Sequence, residues 1–498
     1  MQIVYLKSWG LRLEAMNNFN CEHLIEMGRH IPTPFYLSLD KEQKEEVIKI
    51  ESVLRIVPGK RLTGISYWRN QSVIVKLFFG PGHWRRNLLS DVRGMNLLRQ
   101  RHILTPKILH ETATFDGKGA VLFIDYLKQG KSLHELVNEA SSEDRKLALI
   151  NLTVATIAKC HDKGLWQNDI HLDNFMLVDD RVYVLDGGDI NAVDTEIDWQ
   201  QASENLSLFF AQFPVDMDIN IPGLLEHYQS QSHNLADSDL NGFAERVVAQ
   251  RIKRLNRFEK KLFRSTTAYR SIHNSNRFVV YDRQIHSDEL ESFIDNPSSY
   301  INDESLLKAG NTSSVARVAF ANRNFVLKRY NLKSLWHGFK YLFKNSRAHR
   351  SWLSASKLEM LGINTPHPYL IYEERAFWLL RRRAFFLSED LDESNLLEKF
   401  EKSGADALPI ETLVLAFKQL FETMNTYLIT HGDMKASNFV YLRDRLYVLD
   451  LDAMQRHKSR RSFNKAFQKD LKRFMKNWHG SSIESQFAAM VVNMQLND

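Results

Sequence analysis

The chain has 498 residues, more than one ordinary hydrophobic core organises, so its length favours two to four domains. Its composition, 44% apolar and 25% charged with only 11 Pro and 21 Gly, is typical of a folded protein and excludes a disordered or fibrous one. The formal net charge of +6 favours anionic partners such as nucleotide, phosphorylated lipid or nucleic acid, without choosing among them.

Cysteine usage and the first residues predict the compartment. Cys21 and Cys160 are the only cysteines, so neither a disulfide framework nor a cysteine-rich metal site is expected, and a reducing compartment fits best. Lys7, Arg12 and Glu14 interrupt the apolar stretch that a signal peptide needs, and no apolar run approaches the roughly 18 residues of a membrane span. We therefore expect a cytoplasmic protein that does not span a membrane.

The first half of the chain predicts a strand, a helix, a polar loop and a second strand in that order. The strand-like run SVIVK ends at Lys76, and a helical stretch follows it as far as a turn at Thr105-Pro106. The apolar, helix-periodic segment 146–164 predicts a largely buried helix. A polar loop then leads to the β-rich run VYVLD, which ends at Asp186.

The second half repeats this order. NFVLK ends at Lys328, a turn follows at Thr365-Pro366, segment 411–429 predicts the buried helix, and LYVLD ends at Asp450. The two turns are 260 residues apart but the two lysines only 252, so the second half carries eight extra residues between strand and turn. We place them in NLKSLWHGFKYLFKNSRAHR, 331–350.

Similar polar motifs follow the two buried helices: QNDIHLDNFMLVDDRVYVLDGGDI (167–190) and HGDMKASNFVYLRDRLYVLDLDAM (431–454). In each motif an Asp, an Asn and a second Asp are separated by 5 and then 12 residues. The copies lie 264 residues apart, with Asp169, Asn174 and Asp186 matching Asp433, Asn438 and Asp450. Two surface loops with ordinary Asx turns are the alternative, but the repetition favours two copies of one design.

The duplication predicts two tandem domains, 46–280 and 281–498, after an N-terminal appendage, 1–45, that packs on the first sheet. Between the copies we expect a strand at 278–280 and a turn at NPSS, 296–299. The domain boundary is therefore expected within 270–295.

Each copy has the residue types that phosphoryl transfer from ATP requires. A carboxylate must orient or accept the proton of the acceptor hydroxyl, oxygen ligands must bind Mg²⁺, and a cation must contact the phosphates. In the second half we expect Asp433 to be the carboxylate, Asn438 and Asp450 to bind Mg²⁺, and Lys328 to contact the phosphates. In the first half we expect Asp169 to be the carboxylate, Asn174 and Asp186 to bind Mg²⁺, and Lys76 to contact the phosphates. Lys435 is a further catalytic candidate, expected to neutralise charge on the transferring phosphoryl group.

Two further features concern the nucleotide. Gly310 in LKAGNTSSVARV (307–318) precedes a strand and is expected to bring backbone amides over the phosphates, and PGKRLTG (58–64) is a looser match; ordinary turns are the alternative. A kinase lysine needs an acid on a neighbouring helix. Counting back from the Thr-Pro turns, Asp91 is expected to hold Lys76, whereas the second half has Ser351 at that position. Glu359 lies about two helical turns away and is not assigned the role.

Three departures of the first motif from the second lie close to its first aspartate. Gln167 and Asn168 stand where the second motif has His431 and Gly432. His171 takes the place of Lys435, with hydrogen bonding within the loop as its alternative role.

The second half resembles the lipopolysaccharide kinase family, the Kdo and heptose kinases of the bacterial outer-membrane core together with their InaA-like relatives. The matching runs, in order over 305–478, are LKAGNTSSVARV, FVLKRYN, SRAHRSWLSASKLEMLGINTPHPYL, THGDMKASNFV, YVLDLDAM and KDLKRFMKNW. The first half is similar to a more divergent member over 53–190, through VLRIVPGKRLTG, VIVKLFF, LLRQRHILTPKIL, NDIHLDNFML and YVLDGGDI.

The resemblance implies an α+β fold of two tandem protein-kinase-like domains, each with a small β-rich N-terminal lobe and a helical C-terminal lobe. It implies ATP as donor and a heptose or Kdo hydroxyl of the lipopolysaccharide core, or a lipid-linked sugar, as acceptor. Synthesis is implied at the cytoplasmic face of the inner membrane. A kinase for a protein or small molecule, and a nucleotide-binding scaffold for envelope assembly, are the alternatives.

Basic and aromatic residues are interleaved in two stretches, 332–350 and 456–474. Such stretches suit contact with anionic lipid headgroups, although solvated helix faces with inward aromatics are an equally ordinary reading. Nucleic acid is not an expected partner, because no nucleic-acid-binding motif is present in the sequence.

Overall fold

The computed structural model describes residues 17–41, 44–232, 240–310, 313–331, 345–376, 380–404 and 409–495. The fold is a mixed α+β one, with sheets and helices alternating along the chain. The chain divides into two compact units, 1–212 with 219–246 and 213–218 with 247–498. No helix among the described residues has an apolar stretch long enough to cross a membrane.

A seven-stranded sheet forms the first part of the first unit, in the order β1-β2-β3-β4-β5-β7-β6. Its strands are β1 (Asn18–Phe19), β2 (Phe35–Lys41), β3 (Lys44–Val57), β4 (Arg61–Trp68), β5 (Gln71–Phe79), β6 (Ile108–Ala113) and β7 (Gly119–Asp125). Side chains of β4 alternate between more and less buried positions because one face of the strand covers the core. Pairing between Leu39 and Thr114 brings the region of β2 against the turn after β6, so the sheet curls towards closure.

Helices and small sheets make up the rest of the first unit. The helices are α1 (Cys21–Met27), α2 (Trp84–Gln100), α3 (Leu133–Glu139), α4 (Glu143–Asp162), α5 (Trp199–Phe210) and α6 (Ile221–Gln231). The strands are β8 (Lys131–Ser132), β9 (Leu165–Gln167), β10 (Phe175–Val178), β11 (Arg181–Val184) and β12 (Ile190–Ala192). Ser142 caps α4 by accepting a hydrogen bond from the Arg145 amide, and acidic residues fill its first turn, as helix starts favour. Helix α7 (Leu240–Glu259) carries the chain into the second unit.

The second unit also contains a seven-stranded sheet, in the order β13-β14-β18-β19-β17-β16-β15. Its strands are β13 (Tyr269–His273), β14 (Arg277–Asp282), β15 (Leu306–Ala309), β16 (Ser313–Phe320), β17 (Arg323–Tyr330), β18 (Pro368–Ala376) and β19 (Leu380–Glu389). Helix α8 (Asp288–Asp295) contributes Leu290, Phe293 and Ile294 to the core on one face of this sheet.

The remainder of the second unit is mainly helical. Its helices are α9 (Arg347–Leu361), α10 (Leu396–Ser403), α11 (Ile410–Tyr427), α12 (Arg460–Met475) and α13 (Glu484–Gln495). Two-residue strands β20 (Ile429–Thr430) and β23 (Gln455–Arg456) pair, as do β21 (Phe439–Leu442) and β22 (Arg445–Val448). Phenylalanines of α11 and α12 form much of the core here, and Phe417 lies 4.8 Å from Phe474 between ring centroids.

Five strands have the same order in both sheets, and the two sheets differ in the strands at their edges. β3-β4-β5-β7-β6 and β15-β16-β17-β19-β18 have the same order, and the lysine-bearing strand is the third in each. The first sheet is extended by β1 and β2 beyond β3, whereas the second is extended by β14 and β13 beyond β18. Long helices α4 and α11 lie where the periodicity predicts them, which confirms both helix predictions.

These edge strands change two expectations about domain limits. Residues 35–41 form a strand of the first sheet, rather than an appendage that precedes it, because the alternating sequence FYLSLDK pairs along its length with β3. The strand expected at 278–280 is confirmed as β14, but it pairs with β18, so 247–280 lies in the second unit and not the first. The eight extra residues assigned to 331–350 fall largely on 332–344, outside the described residues.

Candidate functional site

In the second unit, one buried carboxylate of α12 holds the loop after β20. Asp470 accepts hydrogen bonds from the backbone amides of His431, at 2.7 Å, and Gly432, at 3.0 and 3.1 Å. Burial raises the pKa of Asp470 although these amides oppose the rise. The loop conformation is therefore set by a helix residue that lies almost forty positions further along the chain.

The ring of His431 links this loop to the strand that precedes Asp450. Its Nε2 lies 2.9 Å from the Leu449 carbonyl oxygen, and its Nδ1 lies 3.2 Å from the Asp433 amide nitrogen. Because a carbonyl only accepts and an amide only donates, Nε2 is the donor and Nδ1 the acceptor of these two hydrogen bonds. His431 thus positions the loop.

Asp433 lies between two cations and beside Asn438. Its carboxylate is 2.7 Å from the Lys435 ammonium and 3.8 Å from the Arg473 guanidinium. The Asn438 side-chain amide donates to the Asp433 carbonyl oxygen at 2.8 Å, and its backbone carbonyl accepts from the Leu449 amide. These bonds connect the loop that carries Asp433 and Asn438 to Leu449, the residue before Asp450. Hydrogen bonds therefore link the segments that carry the three motif residues.

Lys328 of β17 reaches two carboxylates. Its Nζ lies 2.5 Å from Asp450 Oδ1 and 3.6 Å from Asp452 Oδ2. Asp452 in turn binds the Arg347 guanidinium at 2.5 and 2.8 Å, with its side chain only 9% exposed. Burial opposes ionisation of both Lys328 and Asp450, but their mutual attraction prevails, so the pKa of Lys328 is raised and that of Asp450 is lowered.

Asp450 has a left-handed backbone, with φ 54° and ψ 59°. A residue with a Cβ is uncommon in that region, and such conformations concentrate at functional positions where the surroundings impose them. The 3₁₀ turn Leu451–Ala453 follows at once and carries Asp452 back towards Lys328.

In the first unit, Lys76 of β5 lies against Asp91 of α2. Its Nζ is 2.9 and 3.2 Å from the two Asp91 oxygens, and 3.7 Å from Asp186. The Arg61 guanidinium lies 3.9 Å from Asp91 and 3.7 Å from Asp186. Burial raises the pKa of Asp186, but Lys76, Arg61 and the Gly188 amide outweigh that effect and lower it.

Helix α2 can supply Asp91 because its backbone approaches the chain closely after Asp186. A Cβ built on Gly94 would lie 1.9 Å from the Gly187 carbonyl oxygen, and one on Gly187 would lie 2.3 Å from the Asp91 carbonyl oxygen. The Gly187 amide also donates to Asp91 Oδ1 at 3.2 Å. Glycine at both positions is thus required for the Asp91 carboxylate to reach Lys76.

Gln167, which stands at the position of His431, bonds a carbonyl one residue further along than the counterpart of the His431 acceptor. Its Nε2 donates to the Asp186 carbonyl oxygen at 3.0 Å, and its backbone carbonyl accepts from Asn205 at 2.7 Å. Asn174 donates to the Asp169 carbonyl oxygen at 2.7 Å, as Asn438 does to that of Asp433. The departures of the first motif therefore leave this loop tied to the same neighbouring strand.

Near Asp169 the two units differ. The Asp169 side chain is 72% exposed, and its carboxylate is 3.7 Å from His171 Nε2, whereas that of Asp433 is 32% exposed and contacts Lys435 and Arg473. The two aspartates therefore differ in the exposure of their side chains, and Asp433 lies within 4 Å of a lysine and an arginine.

The two glycine-containing turns lie at the ends of strands. Gly310 follows β15, and a Cβ there would lie 2.8 Å from the Ser313 carbonyl oxygen, which explains a glycine in this turn. Asn311 and Thr312, the residues after Gly310, fall outside the described residues. In PGKRLTG, the residue that reaches the site is Arg61 rather than a glycine.

The oxygen donors suit Mg²⁺. Asp450 offers a carboxylate, and the Asn438 amide, which donates through Nδ2, leaves its oxygen as a ligand; Asp186 and Asn174 repeat the set. Among the described residues no three His, Cys, Asp or Glu side chains cluster to hold a metal by themselves. Mg²⁺ commonly takes one or two protein oxygens together with water and phosphate oxygens.

Several contacting residues were not identified from the sequence: Arg61, Tyr330, Arg347, Asp452, Asp470 and Arg473. All six stand in runs that carry the family resemblance: VLRIVPGKRLTG, FVLKRYN, SRAHRSWLSASKLEMLGINTPHPYL, YVLDLDAM and KDLKRFMKNW. Their place within these runs is the sequence signal that could have identified them.

Comparisons with known proteins give one family match. Residues 298–491 match the lipopolysaccharide kinase (Kdo/WaaP) family. No curated protein matches the sequence. A solved structure described as "WaaP in complex with acyl carrier protein" is 16% identical over 41% of this chain and 90% of that chain, with a TM-score of 0.28. The segment 298–491, which contains Lys328, Asp433, Asn438 and Asp450, is thus similar to the lipopolysaccharide kinase (Kdo/WaaP) family.

Proposed function

We propose that the second unit transfers the γ-phosphoryl group of Mg-ATP to a sugar hydroxyl of the lipopolysaccharide core, heptose or Kdo. The observation that carries this proposal is the connection of Lys328, Asp450, Asn438 and Asp433 by short contacts inside a segment that matches a kinase family. Lys328 binds the α and β phosphates, Asn438 and Asp450 bind Mg²⁺, and Gly310 approaches the phosphates through its backbone. Asp433 orients the acceptor hydroxyl and takes its proton, with Lys435 beside the transferred group.

The first unit is proposed to be a second, diverged kinase-like domain, so that the chain carries two in tandem. The support is the repeated set Lys76, Asp186, Asn174 and Asp169, together with Asp91 beside the lysine. The bonds of the Asn174 amide to Asp169 and of the Leu185 amide to Asn174 repeat those of the second unit. Because the family match lies within the second unit, that unit is proposed to perform the reaction.

The acceptor also suggests a location. Core sugars are attached to a lipid, so the protein is proposed to work at the cytoplasmic face of the inner membrane, against anionic headgroups. Exposed basic residues along 456–474 support this, since α12 buries Phe463, Phe467, Leu471 and Phe474 and turns its opposite side outwards. The other basic stretch, 332–350, lies mostly outside the described residues.

The experiment is transfer of labelled γ-phosphate from Mg-ATP to purified rough-core lipopolysaccharide. Asp433→Asn is expected to lower the rate roughly 100- to 10,000-fold, the usual contribution of a positioned base. Asp169→Asn is expected to leave most of the transfer intact, and Asp303→Asn, a surface change in the second unit, provides the matched control.

Equal activity of Asp433→Asn and wild type would contradict the proposal. If the wild type binds Mg-ATP but phosphorylates none of several rough-core acceptors, the acceptor is a protein, a small molecule or none, as in a scaffold.

A further inference from the structure

The two units place the second carboxylate beside their lysines on different elements. In the first unit it is Asp91, which helix α2 supplies at 2.9 Å from Lys76. In the second unit the equivalent helix position is Ser351, and the carboxylate near Lys328, besides Asp450, is Asp452 on the turn after β22. The position of Asp452 corresponds to Gly188 in the first unit, 264 residues earlier.

A third pair of equivalent positions, Tyr330 and Phe78, also differs between the two units. Two residues after Lys328, the Tyr330 hydroxyl lies 2.9 Å from Ser351 Oγ, and both side chains are buried. Two residues after Lys76 stands Phe78, which has no hydroxyl, and the helix there carries Asp91. Tyr330 of β17 and Ser351 of α9 therefore fill the space between this strand and this helix. In the first unit the helix carboxylate reaches the lysine from the equivalent position.

An arginine completes each cluster. Arg61 lies near Asp91 and Asp186, whereas Arg347 binds Asp452 through two nitrogens. Each cluster thus contains one lysine, one arginine and two aspartates, so its formal charge is balanced although the second aspartate comes from a helix in one unit and a turn in the other.

We propose that Asp452, held by Arg347, is the residue that positions Lys328 in the second unit, in place of the helix acid that the first unit retains as Asp91. This inference rests on the proposed function, because it assigns the lysine to the nucleotide. Asp452 acts through Lys328 and is a positioning residue. The Lys328 ammonium is directed by a turn that also contains Asp450, so the lysine and the proposed metal ligand are fixed by one short segment.

Relocating the carboxylate tests the assignment. Asp452→Gly copies the first unit at one position, and the triple variant Tyr330→Phe, Ser351→Asp, Asp452→Gly copies it at all three. Asp452→Gly is expected to lower kcat/KM for ATP roughly 10- to 100-fold, the usual effect of removing a group that orients a site residue. The triple variant is expected to recover at least tenfold of that loss, because its helix then supplies the acid.

Affinity for Mg-bound, non-hydrolysable ATP analogue, measured by calorimetry without any acceptor, follows the same order if the assignment holds. Asp452→Asn, which keeps the shape of the side chain, extends the test should the triple variant fail to fold. Folding is checked by the thermal midpoint, and Asp303→Asn is the surface control.

The outcomes separate the two proposals. Wild-type affinity in both Asp452→Gly and Asp452→Asn overturns the role of Asp452, as does a folded triple variant that recovers nothing. Analogue binding that follows the expected order, without transfer to core lipopolysaccharide, supports the positioning role and overturns only the proposed acceptor. A wild type that does not bind the analogue overturns both.

Discussion

The guanidinium of Arg251 has no solvent exposure and is held by three oxygen atoms of the second unit. Asp218 receives two of its hydrogen bonds, at 2.7 and 2.8 Å, and the Tyr427 hydroxyl receives one at 2.6 Å. A buried cation is tolerated only while such partners remain, because the charge has lost its water. Asp218 is thus the residue that keeps Arg251 inside the fold.

Replacing Asp218 by Asn is expected to lower the free energy of unfolding by about 3–5 kcal/mol, the usual result of leaving a buried charge without its counterion. Tyr427→Phe, which removes one hydroxyl, is expected to lower it by only about 1 kcal/mol. Urea denaturation of the two variants measures the difference. A smaller loss for Asp218→Asn than for Tyr427→Phe would show that the carboxylate is not what stabilises Arg251.

At the site, spacing alone located the residues that follow one another along a motif. Lys76 and Asp91 were paired by counting from a turn, and the structure brings them to 2.9 Å. Asp452 stands in the quoted run YVLDLDAM, but nothing in the sequence indicates that it, as well as Asp450, lies near Lys328, from which it is 124 positions away. That choice depends on the backbone turn at Asp450, whose φ of 54° no local pattern predicts.

Helix α11 stabilises the second unit through an aromatic cluster. The Phe417 ring, which is fully buried, lies 5.0 Å from Phe439, 4.8 Å from Phe474 and 5.6 Å from Phe487 between centroids. Leu415 of the same helix is 53% exposed. The contrast between positions 415 and 417 follows from the helical period, which turns neighbouring residues to different faces.

Phe417→Ala is expected to reduce the free energy of unfolding by about 3–5 kcal/mol, because the three neighbouring rings cannot close the cavity completely. Leu415→Ala on the same helix is expected to change it by less than about 0.5 kcal/mol and serves as the control. Chemical denaturation followed by tryptophan fluorescence measures both values. Equal losses for the two substitutions would contradict the assigned core face.

Periodicity predicts helices such as α4 and α11 well because their burial repeats every 3.6 residues within one segment. The limits of the units were predicted less well because they depend on strand pairing between distant segments. β14 was expected as a strand, yet only its pairing with β18 assigns it to the second sheet. Likewise, β2 belongs to the first sheet because it pairs with β3.

Over the whole molecule, two buried or half-buried histidines predict opposite responses to pH. In the first unit, burial lowers the pKa of His161 from 6.5 to about 4 despite its bond to Asn205. In the second unit, burial of His367 is outweighed by Asp282 and Glu359, which raise its pKa from 6.5 to about 9. His161 is therefore neutral in the folded state near neutral pH, and His367 is charged.

The direction in which each histidine changes the free energy of unfolding with pH follows from comparing its pKa in the folded and unfolded states. The His161 contribution is present above pH 6.5 and is lost as pH falls towards about 4, a loss of roughly 3 kcal/mol. The His367 contribution is present below pH 6.5 and is lost as pH rises towards 9, by roughly 1–2 kcal/mol after allowance for solvent screening. Unfolding free energies of wild type and His367→Gln are expected to converge as pH rises from 6.5 to 9.

His161→Asn provides the opposite comparison, and its difference from wild type is expected to shrink as pH falls from 6.5 to 4. Denaturant titrations at several pH values measure both differences. Parallel curves for wild type and either variant across its window would contradict the assigned shift.

The path of the chain between the units has a consequence for inheritance. The chain leaves the first unit at 212, returns to it at 219 and leaves it again after 246, and Asp218 on the short excursion holds Arg251 of the second unit. Neither unit is encoded by one continuous stretch of gene. A deletion or fusion that joined the gene at a single point would remove part of one unit or leave a fragment of the other, so the two units cannot be separated by one cut in the gene.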